Sequence, residues 1–266
     1  MIHFVPEEPA LLVTDKAGKV LVIADLHLGF ERELATIGVN APSQTGKLLE
    51  RLTSMLNRVK PKRLLILGDV KHAVPKITEQ EWFDIPDFFE NLSKLNILVE
   101  VVPGNHDGDL EALLSRDVVI HDVRGVLLGS KEGMVGLFHG HAWPSQDLLQ
   151  AKVLVMAHSH PTIELRDPLG FKLIEPVWVT AKVRRNKLKE EYSKRMRQRF
   201  KKLETQTVII MPAFNRLLFG KPINSMEKPT LLGPLFEVEA VDLNDADIYL
   251  QDGTYLGKLH NLVASF

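Results

Sequence analysis

Cysteine is absent from the 266 residues. That removes disulfides, iron–sulfur clusters and thiolate zinc sites together, so any metal must be held by nitrogen and oxygen. Long apolar runs are missing too, and none approaches the ~20 residues a membrane helix needs. The opening MIHFVPEEPA lacks the basic-then-apolar pattern of a secretory leader. The expectation is a cytoplasmic protein with no membrane partner. Excess charge is also lacking: the net value of -1 argues neither for nor against a polyanionic ligand. Hydrophobic residues are plentiful at 45%, ample for a sizeable core in one large α/β domain or two small ones.

Within this aliphatic background, polar residues fall in a recurring place. Val101-Val102 runs into Pro103-Gly104-Asn105-His106-Asp107-Gly108, an apolar strand that stops at a turn and sets down an amide, an imidazole and a carboxylate. Leu21 to Ala24 runs into Asp25-Leu26-His27, and Leu64 to Leu67 into Gly68-Asp69-Val70-Lys71-His72. Val135 to Phe138 leads to His139-Gly140-His141, and Val153 to Met156 to Ala157-His158-Ser159-His160. Gly-containing turns at strand ends let a backbone approach a ligand closely and put side chains where loops carry chemistry.

The intervening segments set the fold class. Residues 11 to 24 read as a hairpin around Asp15 to Gly18, the second strand buried. From Ser43, a candidate N-cap, Leu48, Leu49, Leu52, Met55, Leu56 and Val59 recur at helical spacing until Lys60-Pro61. Thr78 opens a second helix through Trp82, Ile85, Phe88, Phe89 and Leu92, with Pro86 counting against the helical pattern, and Ile97 to Val102 returns to the sheet. Such alternation implies crossovers, a largely parallel sheet and a ligand site outside the carboxyl ends of its strands. Shorter segments at 118–120, 125–128, 135–138, 153–156 and 172–174 predict a second sheet. Lys187 to Leu203 reads as one amphipathic helix with Leu188, Tyr192, Met196 and Phe200 on its apolar stripe. Thr207 to Met211 reads as a buried strand, and Asp247 to Leu259 as a hairpin about Asp252-Gly253. The expectation is one domain over 1–266, with the basic helical segment at about 182–204 as an excursion.

Asp25, His27, Asp69, Asn105, His139, His158 and His160 together offer imidazole, carboxylate and amide ligands. Two-residue spacing in Asp25-x-His27 and His158-x-His160 puts both side chains of each pair on one side of an extended segment. The mixture suits manganese, with magnesium, iron or zinc as alternatives. Seven ligands are too many for one ion with open positions. They fit two ions sharing a carboxylate, an arrangement that clamps the attacking and leaving oxygens of a phosphoryl displacement, with metal-bound water as nucleophile. Singly, each histidine reads as an ordinary hydrogen-bonded residue, and Asp25, Asp69 and Asn105 as turn or cap residues.

The ordered blocks Asp25-x-His27, Gly68-Asp69-x-x-His72, Gly104-Asn105-His106-Asp107, His139-Gly140 and His158-x-His160 resemble the signature of the calcineurin-like metallophosphoesterases. That resemblance implies a four-layer α/β/β/α sandwich of two mixed sheets. It implies one divalent metal on Asp25, His27, Asp69 and His160, a second on Asp69, Asn105, His139 and His158, and His106 as general acid. Ala157 departs from the glycine usual before the last pair. A longer match, through His139-Gly140-His141-x-Trp143-Pro144, Glu175-Pro176-Val177-Trp178 and Met211-Pro212-Ala213-Phe214-Asn215, resembles the SbcD-related phosphoesterases of archaea and the bacterial phosphoesterases associated with DNA ligase and a large helicase. Those groups imply DNA or RNA metabolism and a helicase or ligase partner.

His72 stands where phosphoprotein phosphatases carry an aspartate. A histidine there can donate to a phosphodiester oxygen or help position His106, which favours a diester; the plain alternative is a packed structural histidine. His141 and Trp143 follow a ligand block closely enough to meet substrate, the indole offering a stacking face for a base, although an isolated Trp is more often a core residue. Lys182 to Lys202 carries eleven Lys/Arg against two Glu, so Arg195, Arg197 and Arg199 are candidate phosphate contacts, unless the segment lies over the acidic remainder of the chain or pairs with a partner subunit, a protein or a second copy of the chain. The leading reading is a nuclease or end-processing phosphodiesterase acting on DNA or RNA. The alternatives are a phosphodiesterase for small cyclic or dinucleotide substrates and a non-catalytic scaffold in a repair complex, the last disfavoured because all seven ligand types and His106 are present.

Overall fold

The computed structural model describes residues 2–129, 133–167, 169–197, 202–225 and 231–262. Its first half holds β1 (Ile2–Phe4), β2 (Leu11–Asp15), β3 (Gly18–Ile23), α1 (Glu31–Thr36), α2 (Thr45–Val59), β4 (Arg63–Leu67), α3 (Glu79–Ser93), β5 (Leu98–Val102) and β6 (Val119–Ile120). The strands form one sheet in the order β1-β2-β3-β4-β5-β6, antiparallel through β3 and parallel from there on. The second half holds β7 (Val126–Leu128), β8 (Val135–Leu137), β9 (Val153–Met156), β10 (Thr162–Arg166), β11 (Lys172–Val183), α4 (Arg185–Met196), β12 (Thr207–Ile210), α5 (Pro234–Glu237), β13 (Val241–Leu250), β14 (Tyr255–Lys258) and α6 (Leu259–Leu262). Its sheet runs β14-β13-β11-β12-β9-β8-β7, with β10 paired to β11.

Alternation along the strands divides the core into three layers. In β3, Leu21 and Ile23 face α2 and α3 while Val20 and Val22 face the second sheet. In β9 and β12, Val155 and Ile209 face the first sheet while Leu154, Met156, Val208 and Ile210 face the outer helices. Period-two alternation therefore buries both faces of the central strands, and helix, sheet, sheet, helix is the α/β/β/α sandwich. Leu48, Leu52, Met55 and Leu56 share the buried face of α2, and fully burying a leucine contributes roughly 1.5–3 kcal/mol. Lys60 closes that helix in the left-handed region just before Pro61. Gln44 rather than Ser43 occupies its N-cap, although the Ser43 hydroxyl accepts from Thr45 N at 3.3 Å. In α3, Thr78 and Glu81 form a capping box, and the helix continues through Pro86.

Parallel register explains why the polar clusters meet. Ile23, Ile66 and Val101 stand side by side across β3, β4 and β5, so the residues just after them emerge at one end. Leu137, Val155 and Ile209 do the same across β8, β9 and β12. Met211 to Asn215 then crosses from one sheet to the other. Phe214 N donates to Ala24 O at 2.9 Å and Asn215 Nδ2 to Leu26 O at 2.9 Å, fastening the turn that follows β3.

The basic segment differs from expectation. Its helix, α4, starts at Arg185 and ends at Met196, where Arg197 turns left-handed, instead of spanning Lys187 to Leu203. Leu188 and Tyr192 are buried against the outer face of the second sheet and Met196 packs beside them, while Arg199 and Phe200 lie outside the described residues. The helix ends at the left-handed Arg197, and Leu203 packs on the same core from beyond it. The segment read as 172–174 extends to Val183, long enough to pair with β10, β12 and β13 in turn.

Candidate metal centre

Five of the seven residues named as ligands sit in a strained backbone region. Asp25 (φ 56°), His27 (41°), Asp69 (51°), His158 (69°) and His160 (41°) are all left-handed, a conformation that costs L-residues energy and persists where the surroundings over-determine it. Glycines make room around them. A Cβ on Gly104 would lie 2.1 Å from Asp69 Oδ1, and one on Gly68, itself at φ +82°, 2.2 Å from His139 Nδ1.

The side chains converge from both sheets. Asp25, His27 and His160 bring ligand atoms within 4.8 Å of one another, and Asp69, His139 and His158 do the same. Asp69 Oδ2 lies 3.3 Å from His27 Nε2 and 3.3 Å from His139 Nε2, placing one carboxylate oxygen between the two groups. Asp25 Oδ1 is 3.4 Å from His160 Nε2. Asp25, His27, Asp69 and His139 are buried, and Asp25 Oδ1 and the Nε2 atoms of His27, His139 and His160 lack a hydrogen-bond partner among the described residues. Buried polar atoms left unpaired cost energy, so four such atoms aimed into one basin fit cations better than they fit a finished core. Asn105 occupies the exposed turn after β5, between Gly104 and His106.

Hydrogen bonds on the far nitrogens fix which ring atom faces inward. His139 Nδ1–H donates to Leu67 O at 2.9 Å, which turns Nε2 toward the basin, where a cation would displace the proton that Asp69 and Asp25 favour on it. A chain of three groups acts similarly on His27. His72 Nε2 meets Glu33 Oε2 at 2.5 Å, and because a carboxylate accepts, that nitrogen carries the proton. The other nitrogen, His72 Nδ1, then accepts from His27 Nδ1–H at 3.0 Å, and His27 Nε2 is free toward Asp69. His72 thus leans on a candidate ligand, while its backbone oxygen accepts from His106 Nδ1–H. Neither Glu33 nor α1, the six-residue helix that carries it, has a periodic signature in the sequence.

Charge inside the basin is mutually arranged. Burial opposes ionisation of Asp69, yet hydrogen bonds and charge from His139 and His27 outweigh it and hold the carboxyl below its usual range. Burial likewise opposes protonation of His139, but Asp69 and Asp25 raise it to about 9. Burial and the charge of His139 push His158 and His141 down to about 4. Asp107, closing the third block, accepts from Val70 N at 2.8 Å, Lys71 N at 3.2 Å and Gly104 N at 2.8 Å, tying the turn after β4 to the turn after β5. Its burial raises the carboxyl to about 6. Glu81 caps α3 and also accepts from His72 N at 3.0 Å and Ala73 N at 2.7 Å. The Thr-x-x-Glu spacing at 78–81 is the sequence signal for that residue.

Of the candidate substrate residues, His141 adjoins the basin, its ring 5.3 Å from that of His139. Trp143 lies against α4 instead. Its ring is 5.7 Å from Tyr192 and 5.7 Å beneath the Arg195 guanidinium, and Arg124 Nη2 donates to Tyr192 Oη at 2.9 Å. Arg197 is exposed at the end of α4.

A two-sheet sandwich with clustered carboxylates and imidazoles at its strand ends defines a metal-dependent phosphoesterase. The model of the calcineurin-like phosphoesterase family matches residues 18–186, and the chain belongs to that family. A solved nuclease, MPE of Pseudomonas putida, is similar over 95% of this chain and 98% of its own, at 21% identity and a TM-score of 0.50. The phosphoesterase Yfce of E. coli is similar over 56% of this chain and 73% of its own, at 20% identity and a TM-score of 0.37. No curated protein matches the sequence significantly.

Because His72 meets His27 directly, His72→Ala should weaken divalent-metal binding ~10–100-fold, the usual range for a group that orients a ligand from behind, measured by calorimetric titration of the metal-free protein. His72→Asp, which restores an acceptor for His27 Nδ1–H, should recover most of that affinity and shift the diester-to-monoester ratio toward monoesters. Equal metal affinity in the parent and both variants would return His72 to ordinary packing.

Proposed function

We propose that this phosphoesterase is a phosphodiesterase acting on DNA or RNA. Asp25, His27, Asp69 and His160 would hold one divalent ion and Asp69, Asn105, His139 and His158 a second, with Asp69 shared and manganese the preferred metal. Such ions supply Lewis acidity to the phosphate and an activated water. The chain's own part is orientation and proton delivery. Asp69 Oδ1 accepts from His106 N at 2.9 Å and the His72 carbonyl takes Nδ1–H, which leaves Nε2 to carry the proton given to the leaving oxygen. His106 is thus aimed by the bonds at its backbone N–H and at Nδ1.

The nucleic-acid reading rests on one observation, the docking of the basic helix beside the site. Trp143, four residues beyond His139, is clasped by Tyr192 and Arg195 of α4, which fastens the helix to the loop that also carries His141. At its far end Lys182 pairs with Asp245 at 3.1 Å and Arg184 with Asp242 at 3.2 Å. Lys187, Lys189, Lys194 and Arg197 are exposed and meet no acidic partner among the described residues. A strand following these cations would reach the metal loops, each neutralised phosphate adding to affinity and to its salt dependence. The full-length likeness to a nuclease agrees with this.

Reversing Lys189, Lys194 and Arg197 to Glu leaves Tyr192 and Arg195 to dock the helix. Affinity for single-stranded DNA should fall, and the slope of log K against log salt should flatten by roughly 0.7–0.9 for each phosphate that is no longer neutralised, read by fluorescence anisotropy. An unchanged affinity and slope would remove α4 from the nucleic-acid surface.

A further inference from the structure

We propose that the cleft on the α1 side of His106 is a leaving-group subsite for a nucleotide, with Arg32 taking the next phosphate of the strand; this rests on the nucleic-acid reading above. The cleft has a volume of about 650 Å³, and Gly29, Arg32, Glu33, His72, Val74 and His106 stand in its wall. That is the size of a pocket for a small organic group. Its position is set by chemistry. His106 hands its proton to the oxygen that departs, so whatever that oxygen is attached to must lie on the His106 side of the phosphorus. The hydrolysis balances: the bond from phosphorus to the leaving oxygen breaks, a bond from phosphorus to a water oxygen forms, the leaving oxygen receives the proton of His106, and the proton released by the water passes to solvent, from which His106 is reprotonated.

Cleft chemistry matches a nucleotide better than a simple alcohol. Val74 is 57% exposed although apolar, and it stands with Ala35 and the backbone of Gly29 as a face for a sugar or base. Two charged residues share the wall and differ in state. Glu33 is engaged by His72, whereas the side chain of Arg32 is exposed and has no partner among the described residues. A free guanidinium in a cleft lined largely by apolar atoms, beside one engaged carboxylate, is suited to a single anionic group held at a fixed distance from the reacting phosphorus. In a nucleic acid that group is the neighbouring phosphodiester. A nucleoside leaving group, with no further phosphate, would fill the cleft and leave Arg32 unused.

The test compares two substrates in the parent and in Arg32→Gln: a dinucleoside monophosphate, and the same dinucleotide extended by one phosphate and nucleoside on the leaving side. In the parent, kcat/KM should favour the extended substrate roughly 10-fold, the size of one charge-assisted contact. In Arg32→Gln the ratio should fall toward one, and Arg32→Lys should restore part of it. A parent that cleaves both substrates with the same ratio as Arg32→Gln overturns the subsite while leaving the nucleic-acid reading intact. A parent that hydrolyses bis(p-nitrophenyl) phosphate but neither nucleotide overturns the nucleic-acid reading and this inference together.

Discussion

Asp69→Asn should abolish more activity than a change at any other residue of the basin, ~10³-fold or more, since a metal centre supplies several kcal/mol of transition-state stabilisation. The reason lies in what each carboxylate oxygen does. Oδ1 accepts from His106 N, a bond that the amide oxygen of asparagine can keep. Oδ2 stands 3.3 Å from both His27 Nε2 and His139 Nε2, and the NH₂ group replacing it would donate to those lone pairs. The substitution would remove the shared anion and occupy the two nitrogens in one step, while leaving the turn itself in place. Elemental analysis for bound manganese and turnover of an aryl phosphodiester are the measurements. A variant that held two ions and turned over like the parent would show that Asp69 is not shared.

His106→Ala should lower the rate by ~10²–10⁴-fold for substrates with poor leaving groups while retaining metal, because removing a general acid matters most when the departing oxygen needs a proton. An activated nitrophenolate needs it less, so its rate should fall by a smaller factor. His106 shares the cleft with His72, its Nδ1 is spent on a backbone oxygen, and its ring lies 4.7 Å from that of His27, near enough that His27, His72 and His106 also bring ring nitrogens within 4.8 Å of one another, so the metal content of the variant has to be measured beside its rate. Equal effects across leaving groups would assign His106 to positioning instead of proton transfer.

The strand ends that form the site are legible in the sequence because two signals coincide there. Parallel strands buried on both faces read as unbroken apolar runs, and the first polar residues after each run mark the carboxyl edge. Asp25, Asp69, His139, His158 and His160 all announce themselves this way. What is not legible depends on the third dimension. Glu33 sits on a helix too short for periodicity, and its meeting with His72 follows from how α1 folds over the turn after β4. Spacing suggests His72 as a neighbour of His106, and its ring does stack on that of His106 at 5.4 Å while its backbone oxygen takes Nδ1–H; the contact of its Nδ1 with His27 is what spacing does not show. Trp143 offers a base-stacking face in the sequence, but its ring lies against Tyr192, a residue 49 positions away that no local pattern connects to it. The end of α4 escapes the sequence for a related reason. Helical periodicity continues through Phe200, but the left-handed backbone of Arg197 ends the helix, a conformation that no spacing of apolar residues signals.

The two groups of candidate ligands are divided between the sheets in an uneven way. Asp25, His27, Asp69 and Asn105 come from the first sheet, and His139, His158 and His160 from the second, so each proposed ion draws on both. Catalytic cations placed so would also act as rivets, joining the two halves of the sandwich across a mouth where the apolar layer between them gives way to mutually strained turns. Loading the site then becomes part of folding, worth ~2.7 kcal/mol per site at a hundredfold excess over the dissociation constant. Metal scarcity would loosen the sandwich from its active edge inward, making the protein's persistence as well as its activity a function of the cation supply.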